Sequence, residues 1–193
     1  MVLTLNNSEK RNIYVVISDS GSRISKILRL FTKAKYNHVS LSLVEDLSEM
    51  YSFGRRWKYY AFYGGFVKET PYTGVFGLFP DAEIVVLPFA VTEAQCDAIC
   101  LHIKDMYAQR KRYRYSWLGI FAGLFGKKLK RKRHYICSGF VEDVLTKFGV
   151  VSEEELACVL APNDFLHKFG ERKIYEGRYR DYAIIPKEEK QAV

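Results

Sequence analysis

From Asn37 to Val44, in "NHVSLSLV", apolar and polar residues alternate: Val39, Leu41 and Leu43 fall on one side, His38, Ser40 and Ser42 on the other. A period of two belongs to a β-strand. The pattern predicts a half-buried strand with His38 on its open, polar face. After the turn "EDLS", "EMYSFGRR" (Glu49 to Arg56) predicts a hairpin partner able to bring Ser52 or Glu49 beside His38. Upstream, "NIYVVISD" (Asn12 to Asp19) reads as a strand closed by the turn residues "SDSGS". A helix over Ser22 to Ala34 follows, with Ile24, Ile27, Leu28 and Phe31 on one face.

Downstream the period lengthens. The aromatic, glycine-rich stretch from Trp57 to Pro80 predicts irregular structure and short strands, and "EIVVLPF" (Glu83 to Phe89) a strand. Thr92 and Gln95 have the spacing of a capping box, and Cys96, Ile99, Cys100, Ile103 and Met106 form the apolar face of the helix it opens. "YRYSWLGIFAGLFG" (Tyr113 to Gly126) suits a short helix or a pocket wall. Next, Phe140, Val141, Val144, Leu145 and Phe148 recur at helical spacing behind Cys137, with Gly149 at the C-terminal cap. "SEEEL" opens another helix with acidic residues in its first turn. "APNDFLHKF" gives a further helix capped by Asn163 or Asp164, and "KIYEGRYRDYAIIP" one or two closing strands. No repeat or linker divides the chain. These elements predict a single α+β domain over residues 1–193, an antiparallel sheet packed against helices.

Composition narrows the class. A chain of 193 residues with 48% hydrophobic and 27% charged residues has enough apolar surface for a core without staples. No signal segment and no apolar run of about 20 residues is present, which predicts a cytoplasmic protein with no transmembrane segment. Four cysteines (Cys96, Cys100, Cys137 and Cys158) without CxxC spacing read as reduced thiols, and Cys96 and Cys100 as core residues rather than zinc ligands. The net charge of +8 concentrates in "KKLKRKRH", Lys127 to His134. That run is a solvated loop, or a basic rim that attracts an acidic substrate. With no RNP-like motif and no zinc-finger spacing, no nucleic-acid partner is expected.

Cys137 opens a helix, where unpaired backbone N–H groups and the positive end of the dipole favour a thiolate and can hold an oxyanion. It reads either as a nucleophile or as one more small hydrophobe in a core. A nucleophile needs an imidazole to carry its proton, and His38 is better placed than His102, His134 or His167, which fall in a core helix, the basic loop and a helix end.

The stretches "SDSGSRISKILRLFTKAKYNHVSLSL" and "YICSGFVEDVL", with "YRYSWLG" and "APNDF" around the second, resemble the circularly permuted papain-like hydrolases of the NlpC superfamily, particularly the YiiX-type bacterial branch. The resemblance runs from about Ser18 to Phe165, with histidine ahead of cysteine as in the permuted members. It implies a permuted papain-like (NlpC-type) fold, Cys137 as nucleophile and His38 as general base. In that branch a carboxylate on the strand after the histidine orients the imidazole. The matching residue here is Ser52; Glu49 is the alternative and falls on the opposite face. The implied activity is hydrolysis of an amide or ester through an acyl-enzyme, on a peptide-like or lipid-like substrate, anionic if the basic rim takes part. The alternatives are acyl transfer, as in relatives resembling lecithin:retinol acyltransferase, or a binding module that uses residues 127–134 for an anionic partner. No metal or organic cofactor is implied.

Overall fold

Strand β1 (Lys10–Asp19) is hydrophobic at nearly every position from Ile13 to Ile17 because both its faces are covered. A computed structural model describes residues 10–19, 34–56 and 64–182. The helix expected over Ser22 to Ala34 lies, but for Ala34, outside the described residues. β1 sits inside a six-stranded antiparallel sheet of order β4-β3-β2-β1-β5-β8. The partners are β2 (His38–Ser42), β3 (Met50–Arg55), β4 (Gly64–Glu69), β5 (Glu83–Thr92) and β8 (Tyr175–Arg178). A short helix, α1 (Gly74–Leu78), joins β4 to β5.

One sheet face presents Ile13, Val15, Val39, Leu41, Phe53 and Phe66 to the larger core. Three helices cover it: α2 (Glu93–Ala108), α4 (Cys137–Lys147) and α6 (Pro162–Phe169). The stretch between α2 and α4 holds α3 (Trp117–Leu124) and two short strands, β6 (Arg114–Tyr115) and β7 (His134–Tyr135), paired in parallel. The ring of Phe140 on α4 lies 5.7 Å from that of Phe53 and 5.2 Å from that of Phe66, and these two lie 5.4 Å apart. Each ring is buried, and burying such a side chain contributes about 1.5–3 kcal/mol. The triangle therefore fixes α4 across β3 and β4.

The opposite face is smaller. Tyr14, Val16, Met50 and Ile84 pack there against Leu47, Phe76, Tyr179 and Tyr182.

The Thr92–Gln95 capping box forms as expected, with Gln95 N–H on Thr92 Oγ1 at 3.2 Å and Thr92 N–H on Gln95 Oε1 at 2.9 Å. Cys96, Ile99, Ile103 and Met106 are buried, whereas Cys100 is partly exposed at the edge of that face. Gly149 takes φ +63° after α4, the left-handed cap glycine tolerates best. A four-residue helix α5 (Glu153–Leu156), capped by Ser152, follows.

Three expectations need correction. β2 is covered on both sides: Ser40 and Ser42 are fully buried, so its polar face is an internal polar layer, not open surface. α6 starts with Ala161 as N-cap and Pro162 in its first turn, where a missing N–H costs nothing; Asp164 secures the start from inside the helix. After β8 the chain turns into a helix, α7 (Tyr179–Tyr182), because Tyr179 and Tyr182 must both reach the smaller core.

Candidate active site

Strands β2 and β3 are paired only at Leu41–Tyr51 and Ser42–Met50, whereas β3 and β4 pair from Met50–Glu69 to Arg55–Gly64. His38, at the start of β2, thus lies beyond the end of its ladder with β3. The approach to it is anchored: buried Tyr36 donates to Glu176 at 2.8 Å, and Asn37 N–H donates to the Ser18 carbonyl at 3.2 Å.

The ring's partner is Glu69, from the end of β4. His38 Nε2 donates to the carboxylate, 3.2 Å from Oε1 and 3.3 Å from Oε2, and Ser40 Oγ donates to Oε2 at 2.6 Å. Neither residue expected in that role is in contact with the ring. Ser52 stands beside the carboxylate, its buried Oγ without a hydrogen-bond partner among the described residues, yet close enough to favour the ionised Glu69. Glu49 faces away, its carboxylate paired with Lys68 at 2.7 Å and with the Tyr51 hydroxyl at 2.9 Å. The sequence points for the ring's partner to Ser52 or Glu49, at β3, one strand before the Glu69 of β4 that meets it. The usable sign was the alternation Val67-Lys68-Glu69, which sets an acidic residue on the face opposite Phe66 and Lys68, but the unsettled register of residues 57–80 hid it.

Cys137 is the first residue of α4, and the N-cap Ile136 supplies no side-chain bond to the first-turn N–H groups. Such groups have no partner within a helix. One side-chain bond ties this helix start down: Ser138 Oγ donates to the Leu160 carbonyl at 3.1 Å, in a stretch held in turn by the Asp164 carboxylate, which accepts from the N–H groups of Leu160 and Ala161 at 2.9 and 2.8 Å. The parallel β6–β7 pair, with Ser116 N–H on the Tyr135 carbonyl at 2.9 Å, brings Tyr115 alongside.

Cys137 lies close enough to His38 for its sulfur to favour the charged imidazole. With Nε2 committed to Glu69, the ring nitrogen left for sulfur is Nδ1. Cys137 is 5% exposed and the His38 side chain 21%, so the site opens over the ring rather than over sulfur.

Burial alone disfavours the charged imidazole. The charge of Glu69, with the nearby Cys137 sulfur and the hydrogen bond that His38 donates to Glu69, outweighs burial and lifts the His38 pKa to about 10. Burial opposes the ionised Glu69 in turn, but the His38 charge and the bonds from His38 and Ser40 hold its pKa below the usual carboxylate range. Burial pushes the Tyr115 phenol up, and the charge of Cys137 adds to this.

The other histidines are engaged elsewhere. His102 packs on Phe148 and accepts from Lys147, His134 donates to the Lys132 carbonyl, and His167 accepts from Asn163. Among the described residues no group of three or more His, Cys, Asp and Glu is placed to hold a metal ion. No helix among them is long and apolar enough to cross a membrane. Comparison with family models, curated proteins and solved structures found no match for this chain.

Proposed function

We propose that the protein is a cysteine-dependent hydrolase of amide or ester bonds with a permuted papain-like (NlpC-type) arrangement, Cys137 as nucleophile, His38 as general base and acid, and Glu69 as the positioning carboxylate. One observation carries this reading: an imidazole hydrogen-bonded to a buried carboxylate stands within electrostatic reach of a cysteine at an uncapped helix start. A structural cysteine needs none of the three.

Imidazolium beside sulfur is the pairing that lets cysteine act as a thiolate. Sulfur attacks the carbonyl carbon, a C–S bond forms, and the carbonyl oxygen takes the electron pair under the first-turn N–H groups of α4. The intermediate collapses with cleavage of the C–N or C–O bond, and His38 gives its proton to the leaving group. His38, now neutral, takes a proton from water; hydroxide adds to the thioester, the C–S bond breaks, and the acid leaves with His38 recharged. Glu69 keeps the ring oriented and balances its charge throughout. Acyl transfer differs only in the acceptor that replaces water.

The test is iodoacetamide alkylation at mildly acidic pH, read by peptide mass, with exposed Cys158 as internal reference. Cys137 is expected to react at least tenfold faster than Cys158, to lose that advantage in His38→Ala, and to gain one acyl mass on brief exposure to a p-nitrophenyl ester. Equal rates, or an advantage that survives His38→Ala, would refute the reading.

A further inference from the structure

The charge of the chain is concentrated next to an apolar surface that the proposed chemistry does not use. α3 exposes Leu118 at 57%, Phe121 at 60% and Phe125, just past its end, at 80%. These residues, three and four apart, lie along one side of the helix, while Ser116 and Gly119 are buried on the other. Immediately downstream runs "KKLKRKR", Lys127 to Arg133, with Leu129 42% exposed in its midst. Of its cations, Lys128 is ion-paired with Glu142 at 2.8 Å. Lys127, Lys130, Arg131, Lys132 and Arg133 have no acidic partner among the described residues. An outward row of Phe and Leu beside unpaired cations is the composition of a segment that lies in a membrane interface, apolar side chains among the acyl chains and basic ones among the headgroups.

We propose that α3 and residues 125–133 dock on a bilayer surface containing anionic phospholipid. Charge selects the occupant first: five unpaired cations repel a second copy of the same surface and attract an anionic one. The leucines select between anionic partners. Aromatic rings stack on bases, but Leu118 and Leu129 have no use against a nucleic-acid backbone, whereas hydrocarbon takes Leu and Phe alike. The row and the cations are contiguous, and Gly119, Gly123 and residues 127–132 line one cleft with Ser138 and Gly139 of the first turn of α4. Docking therefore turns that end of the molecule toward the lipid. It requires no reactivity of Cys137.

Flotation of the full chain with phosphatidylcholine vesicles, with and without phosphatidylserine, tests this. Binding is expected only with phosphatidylserine, at roughly a fivefold partition gain per basic residue at the surface, and to weaken as salt rises. Lys127→Glu with Lys130→Glu and Lys132→Glu, and separately Phe121→Ser with Phe125→Ser, should each lower the partition coefficient at least tenfold. Cys137→Ala should bind like the wild type, so failure of the hydrolase reading leaves this result standing. A second readout is independent of variant folding: brominated phosphatidylserine should quench wild-type tryptophan fluorescence, Trp117 lying at the start of α3. The proposal is overturned by equal binding with and without phosphatidylserine, by no binding to either, by binding that survives the Phe121/Phe125 change, or by an oligonucleotide that displaces vesicles and is bound equally by that variant.

Discussion

At the scale of single residues, His38 and Glu69 stabilise one another's charge in a place where either charge alone would be costly. Glu69→Gln keeps the shape and deletes the charge. We expect it to lower stability by about 3 kcal/mol in urea unfolding, to move the His38 ring pKa downward in an NMR titration, and to reduce the Cys137 alkylation rate at mildly acidic pH at least tenfold. Unaltered alkylation would remove Glu69 from the positioning role. The pair also fixes a pH dependence. Glu69 titrates below its ordinary 4.5 in the fold, so its contribution is present above that value and is lost as pH falls through the lowered pKa. His38 titrates near 10 instead of 6.5, so its contribution is complete below 6.5 and disappears as pH rises toward about 10. The wild type should therefore exceed a His38→Gln/Glu69→Gln double variant most between about pH 4.5 and 6.5, and the two stability curves should converge on either side. A constant offset would mean that the two groups pack but do not exchange charge.

At the scale of elements, α4 has two ends with different duties. Its C-terminal turn is structural: Gly149 at φ +63° lets the Val150 N–H reach the Leu145 carbonyl at 2.8 Å. Gly149→Ala should cost about 1 kcal/mol in thermal unfolding and leave the Cys137 alkylation rate of the folded protein unchanged. Its N-terminal turn carries sulfur and has no side-chain cap. Ser138→Ala breaks only the tie to Leu160, so it should slow alkylation more than it lowers stability. α4 was legible in the sequence because Phe140, Val141, Val144 and Leu145 repeat at helical spacing, and β2 because its alternation is strict. What escaped were features set by pairing between distant segments. No local pattern reveals that Glu69 lies opposite Met50, or that β2 pairs with β3 only from Leu41 onward, and these two facts decide which acid meets His38. Burial of the serine face of β2 escaped for the same reason: its partners come from elsewhere, the Glu69 carboxylate for Ser40 and the Val44 and Glu49 carbonyls for Ser42.

At the scale of the molecule, the site depends on the smaller core, whose sheet face His38 and Glu69 share. The turn between β2 and β3 places Leu47 at φ +53°, an unfavourable conformation for a bulky residue, and buries it completely. The C-terminal helix holds it there: Tyr179 donates to the Leu47 carbonyl at 2.6 Å, and Tyr182 to the Glu45 carbonyl at 2.9 Å. This turn sets how β2 meets β3, and only the two pairs Leu41–Tyr51 and Ser42–Met50 carry that register onward to His38 and Glu69. A Tyr179→Phe/Tyr182→Phe double variant keeps the packing and removes both donors, stranding a buried carbonyl at a cost of about 1–3 kcal/mol. We expect faster amide hydrogen exchange at Leu41 and Tyr51 and slower Cys137 alkylation. Phe169→Ala opens a cavity in the other core and should cost about 3–5 kcal/mol without selectively speeding exchange at Leu41 and Tyr51. If the two variants raise exchange at those amides alike, stability alone governs the ladder, and the C-terminal helix has no particular hold on the geometry of the site.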